Sequence, residues 1–120
     1  MDYKLINTEY LNSIAGDDPQ VISEIVEMFR EQTIEIFGNM KVLCSKKDYN
    51  MLGMIAHKAK SSVAIMGMNE LAAVLNKLEL SAKEGKNEEL YDSYIKKFGE
   101  DTKAAIAELD NMVAIRLKKS

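Results

Sequence analysis

The stretch from Pro19 to Cys44, PQVISEIVEMFREQTIEIFGNMKVLC, decides the fold. Ile22, Ile25, Val26, Phe29, Thr33, Ile36, Phe37, Met40, Leu43 and Cys44 recur at steps of three and four, and at about 100° per residue such steps lie on one stripe of a helix. Gly38 falls off the stripe and need not break it. Asp17-Asp18 before Pro19 supplies a cap, and proline is tolerated at the first helical turn because its missing N–H has no partner there. Upstream, Thr8 as an N-cap, Tyr10, Leu11 and Ile14, and Gly16 as a stop predict a short additional helix.

Downstream the pattern repeats three times. Asp48 can cap a helix with Leu52, Ile55, Ala56, Ala59, Val63 and Met66 facing inward, ending near Gly67. Asn69 can cap the next, with a narrow seam of Leu71, Val74, Leu75, Leu78 and Ala82 closed by Gly85. Asn87 opens the last, which carries Tyr91, Tyr94, Ile95, Phe98, Thr102, Ala105, Leu109, Met112 and Val113 on one side. Four amphipathic helices on short connections must bury their stripes against one another. The expectation is an all-α, antiparallel up-down-up-down four-helix bundle with a short N-terminal helix. Residues 1–120 read as one domain, its core at about 17–115, with the basic end from Arg116 to Lys119 as a frayed helix terminus.

Composition agrees and excludes several functions. The 120 residues are 47% hydrophobic and 29% charged, with one proline and six glycines, so a core can form and breakers are scarce. A net charge of −3 gives no basic face for phosphate backbones, and a nucleic-acid partner is not expected. No apolar run approaches the roughly 18 residues of a membrane span, and the first residues lack the apolar core of a signal peptide. The expectation is a cytoplasmic protein without a membrane partner. Glycines at 16, 38, 53, 67, 85 and 99 are too far apart for a phosphate-binding loop, so no nucleotide site is expected. Cys44 is the only cysteine, and its place on the inward stripe argues against a Cys44–His57 nucleophile pair. The single histidine excludes a bundle di-iron site, and no metal is expected.

His57 is the residue that chemistry can use. With Leu52 at the centre of the buried stripe, His57 lies about 140° away, towards solvent. Lys60 at i+3 and Ser61 at i+4 are its neighbours on the helix surface. No Asp or Glu occurs between Tyr49 and Asn69, whereas Lys58 and Lys60 fall inside that window, so the surroundings are locally positive. Gly53, Met54, Ser61, Ala64 and Ile65 share the sector expected to be exposed, small or apolar groups where a solvated helix places charges. A neutral imidazole is a nucleophile, an adjacent ammonium stabilises phosphoryl oxygens, and low bulk admits a partner's active site. The combination describes a histidine that accepts a phosphoryl group.

The run AHKAKSSVAIMGMNEL from Ala56 to Leu71, followed by Leu78-Glu79, resembles the signature of histidine-containing phosphotransfer (HPt) domains of two-component phosphorelays. The pattern is carried by His57, Lys60, Ser61-Ser62, Gly67, Leu71 and Leu78-Glu79, and the resemblance extends from Asp17 to about Met112. Ala59 stands where the family usually has Leu, which changes packing, and Ser61 where Gly is commonest, beside the ring. The resemblance implies a carrier with no kinase or ATP-binding activity of its own and no cofactor, Mg²⁺ being supplied by the partner. It implies that His57 takes a phosphoryl group from a receiver-domain aspartate and hands it to another receiver.

Partners would be the receiver domains of response regulators and hybrid histidine kinases. In this reading His57 is the acceptor, Lys60 stabilises the phosphoryl group, and Ser61 is a small neighbour able to bond it. Met54, Lys58, Ala64 and Ile65 would dock the receiver, and the protein would act as a monomer. Gln32 or Glu35, on the Pro19 helix, is a candidate to reach the imidazole Nδ1. A helical adaptor that has lost the relay, and a plain bundle with a surface histidine, are the competing readings.

Overall fold

The computed structural model describes residues 9, 12, 13, 16 and 18–119, the side chains of 116–119 excepted. Over these residues the chain is helical: α1 (Pro19–Ser45), α2 (Tyr49–Ile65), α3 (Asn69–Glu84), a 3₁₀ turn (Glu88–Leu90) and α4 (Tyr91–Lys119). The N-terminal helix expected from Thr8, Tyr10, Leu11 and Ile14 lies outside the described residues, as does Asp17.

Local chemistry sets each boundary. Asp18 accepts from the backbone N–H of Gln20 at 3.0 Å and Pro19 takes the first helical position, so α1 starts where a missing donor costs nothing. α1 closes with Lys46 and Asp48 donating to Val42 and Leu43 carbonyls, and Lys47 turns the chain at φ 59°. Asp48 then caps α2 by accepting from Met51 N–H at 3.3 Å. Gly67, at φ 74°, and Gly85, at φ 67°, end α2 and α3 in the left-handed region that lacks a penalty only for glycine.

Two expected helix starts differ: Asn87 makes no side-chain cap bond and lies at φ 59° before the 3₁₀ turn, so α4 itself begins at Tyr91. Asn69 is the first residue of α3, and the capping position belongs to Met68, whose side chain makes no cap bond and is buried at 3% exposure. An apolar anchor at the tip of the α2–α3 turn replaces the polar cap, because the turn folds back onto the core.

The four stripes meet as expected. Ile22, Val26, Phe29, Ile36 and Met40 of α1 face Leu52, Ala56, Ala59 and Val63 of α2, Leu71, Leu75 and Leu78 of α3, and Tyr91, Phe98, Ala105 and Leu109 of α4 in one core. Burying a leucine or phenylalanine side chain in such a core contributes about 1.5–3 kcal/mol each. Thr33 and Thr102 are buried too, their hydroxyls bonded back to Arg30 and Phe98 carbonyls of their own helices. Tyr91 is fully buried, edge-on to Tyr49 at 5.0 Å, and its hydroxyl donates to the Ser81 and Lys86 carbonyls.

The helices run antiparallel to their neighbours in an elongated bundle of 50 × 20 × 20 Å. α1 pairs with α4 through Arg30–Asp110, Phe37 on Gly99 and Cys44–Asp92. With 27 and 29 residues, α1 and α4 outlast α2 and α3, which have 17 and 16 and form a tight hairpin. Among the described residues no helix is long and apolar enough to cross a membrane.

Candidate functional site

The site is built across the α2–α3 hairpin. His57 stands midway along α2, on its outer surface, with 60% of its side chain exposed. Across from it α3 presents Glu79, buried at 5% exposure although it is a carboxylate. Both Glu79 oxygens lie 3.1 Å from His57 Nδ1. Lys60 Nζ donates to Oε1 at 2.9 Å and to Asn76 Oδ1 at 3.2 Å. Lys83 Nζ donates to Oε2 at 2.8 Å.

These donors decide the state of the carboxyl. The hydrogen bond from Lys83 holds Glu79 down at about 2, well below the ordinary 4.5, with Lys60 and His57 acting in the same direction against burial. An ionised carboxylate only accepts, so at neutral pH Nδ1 of the ring must be the donor. A neutral ring with hydrogen on Nδ1 carries its lone pair on Nε2. The carboxylate therefore fixes the tautomer and aims the nucleophilic nitrogen away from α3.

Of the other residues singled out from the sequence, Lys60 is brought beside the ring and Ser61 is exposed next to it. Met54 and Lys58 line a groove of about 440 Å³ with Asn39, Val42 and Leu43 of α1 and Met51 and Ile55 of α2. Ala64 and Ile65 are exposed too but lie further along α2, outside the groove. Gly53 does not belong to the exposed sector. It is buried against α3, where a Cβ would lie 3.0 Å from Lys83 Cγ and 3.3 Å from the Glu79 carbonyl oxygen. The α2 face turned to α3 is wider than the apolar stripe alone indicates, because Gly53 permits close approach.

Nor do Gln32 and Glu35 supply the partner of Nδ1. Gln32 accepts from Ser62 Oγ at 3.4 Å on the α1 side of α2, whereas Nδ1 faces α3 and is taken by Glu79. Cys44 is remote from His57 and donates its thiol to Asp92 at 3.5 Å. Among the described residues no three His, Cys, Asp or Glu side chains gather as a metal ion requires.

Glu79 was named from the sequence only as part of the signature, without its place on Nδ1, and Lys83 was not singled out at all. A signal for both was present. His57 and Glu79 each stand eleven residues from Met68, Lys60 and Asn76 eight, and Gly53 and Lys83 fifteen. In an antiparallel hairpin turned at Met68, residues equidistant from the turn lie level with one another.

The family model described as Hpt domain matches residues 24–114, which includes α2, α3, the whole site and most of α1 and α4. No characterised protein and no solved structure gives a significant match to the chain.

Proposed function

Because the chain belongs to the Hpt domain family, whose members are histidine phosphotransfer carriers of phosphorelays that interact with receiver domains, we propose that His57 is the group that carries the phosphoryl. The supporting observation is the buried Glu79 carboxylate on Nδ1, which leaves the Nε2 lone pair facing solvent. The donor is an aspartyl phosphate of a receiver domain. The Nε2 lone pair attacks phosphorus in line, the N–P bond forms, and the acyl phosphate P–O bond breaks with its electron pair leaving on the aspartate carboxylate. No proton has to leave Nε2. The phosphorylated ring, still protonated at Nδ1, is cationic, and Glu79 at 3.1 Å stabilises that charge. Transfer to a second receiver is the same exchange reversed.

Lys60 stabilises the phosphoryl oxygens, and Ser61 is the small neighbour that leaves room for them. Mg²⁺ belongs to the receiver. Met54, Lys58, Ala64 and Ile65 meet the receiver together with Met51 and Val42, in a monomeric cytoplasmic carrier whose residues 1–120 form one domain, without kinase or ATP-binding activity of its own.

The test is ³¹P NMR of the protein and of His57→Gln after treatment with phosphoramidate, followed by addition of receiver domains with Mg²⁺. The expected result is an acid-labile, base-stable signal that is absent from the variant and discharges to a receiver. A folded protein giving no such signal would instead be a non-transferring adaptor.

A further inference from the structure

Two ammonium groups serve one carboxylate, one on each oxygen: Lys60 on Oε1 and Lys83 on Oε2. They differ in where they stand. Lys60 is one turn beyond His57 on the same helix, within reach of a group on Nε2. Lys83 is on α3, one turn beyond Glu79, and its stem lies in the narrow gap between the helices at Gly53.

Gly53 is inside a helix and has no left-handed φ, so backbone freedom does not account for it. A glycine there weakens a helix relative to alanine. What it provides is space. A Cβ at 3.0 Å from Lys83 Cγ and 3.3 Å from the Glu79 carbonyl would push the lysine stem or α3 itself aside.

If Lys60 were the only ammonium on Glu79, drawing it to the incoming phosphoryl oxygens before the N–P bond forms, while the ring is still neutral, would leave a buried carboxylate without a cation, which is strongly unfavourable. The titratable groups bonded to Glu79 are His57 and Lys60 from α2 and Lys83 from α3, with neutral Asn76 holding Lys60. Lys83 alone reaches the carboxylate from α3, beside Gly53, which lies one turn before His57, whereas Lys60 stands on the helix of the reacting ring.

We propose that Lys83 is the permanent counter-ion of Glu79 and a positioning residue for His57, seated in the lane left open by Gly53, so that Lys60 can leave the carboxylate for the phosphoryl group. The role of Lys60 in this proposal rests on the phosphotransfer reading; the pairing of Lys83, Glu79 and Gly53 does not.

The test separates the two. Long-range ¹H–¹⁵N correlation spectra of His57 report its tautomer without any phosphorylation, and thermal melts verify the fold of each variant. With Lys60→Ala standing in for the departed lysine, the Nδ1–H tautomer is expected to persist. It should be lost in Lys60→Ala/Lys83→Met, restored in Lys60→Ala/Lys83→Arg, and weakened in Lys60→Ala/Gly53→Ala. Loss of the tautomer in Lys60→Ala alone, or its retention in Lys60→Ala/Lys83→Met, overturns the proposal; a spectrum of Lys60→Ala/Gly53→Ala identical to that of Lys60→Ala overturns the assignment of the lane.

In the phosphorylation arm, uptake from phosphoramidate is expected to fall about tenfold in Lys83→Met, where Lys60 is kept on Glu79, and to stay near wild type in Lys83→Arg. Wild-type uptake in Lys83→Met overturns the release of Lys60. If the wild-type protein takes up no phosphoryl group, the functional reading fails, and the tautomer spectra still decide the counter-ion.

Discussion

At the residue, the governing fact is a carboxylate 5% exposed and yet ionised. Glu79→Gln keeps the shape and removes the charge, leaving Lys60 and Lys83 without their anion. Because both ammoniums are partly exposed and can rehydrate, the expected cost in stability is only about 1–2 kcal/mol, read from urea unfolding. Phosphoryl uptake should fall about tenfold or more, because the ring loses both its fixed tautomer and its counter-charge. The pH dependence has a definite sign. Glu79 sits at about 2 in the folded protein and near 4.5 when unfolded, so its contribution is fully present above pH 4.5 and is lost as pH falls towards 2. The stability difference between the wild type and Glu79→Gln should therefore shrink across that window, and a constant difference would show that the carboxylate is not ionised by its neighbours. His57, Lys60 and Ser61 were legible in the sequence because they share one helix. The partner of Nδ1 was not, because helical spacing says nothing about the facing helix, and attention to α1 pointed to Gln32 and Glu35.

Among the elements, boundaries were legible wherever a single residue carries the physics. Asp18, Asp48, Gly67 and Gly85 cap or end helices by side-chain acceptance or a left-handed φ, and each sits where the sequence places it. Met68 was not readable as a cap, since its reason for being there is burial. Two positions give sharp tests. Lys47 holds φ 59° at the α1–α2 turn, a conformation that strains a residue with a Cβ. Lys47→Gly should stabilise the protein by about 1 kcal/mol, a rise of about 4 °C in Tm. Gly99 underlies the Phe37 ring, which a Cβ would meet at 2.6 Å. Gly99→Ala should therefore cost about 1–3 kcal/mol in denaturant unfolding, with Phe37→Leu on that background recovering part of the loss. Equal stability of Gly99→Ala and wild type would mean that α1 and α4 adjust freely at that contact.

For the whole molecule, the groove formed by α1 and α2 beside His57 is the place to test docking. Val42, Met51 and Met54 are 50%, 44% and 55% exposed there, an apolar surface whose α2 side, Met51 to Lys58, spans the stretch that carries His57. Met54→Glu should weaken binding of a receiver by about 1–2 kcal/mol, measured by titration calorimetry, with Tm unchanged. Ala64→Glu, outside the groove but on the same exposed side of α2, should weaken it less. Equal effects would extend the docking surface along the whole of α2. The bundle itself was legible because four amphipathic stripes on short connections have one economical arrangement. The α1 half of this groove was not, since it depends on which turn of α1 stands level with Met54.

The groups that hold and tune the imidazole all belong to the α2–α3 hairpin, whereas α1 contributes Asn39, Val42 and Leu43 to the neighbouring groove and nothing to the Glu79 cluster. If the groove docks the receiver as proposed, substitutions that accumulate on the outer face of α1 change which receiver is met while leaving the groups around the imidazole as they were. On that reading α2 carries both contact and chemistry while α1 carries contact alone, and a duplicated copy of this chain could acquire a new correspondent through α1 without relearning its reaction.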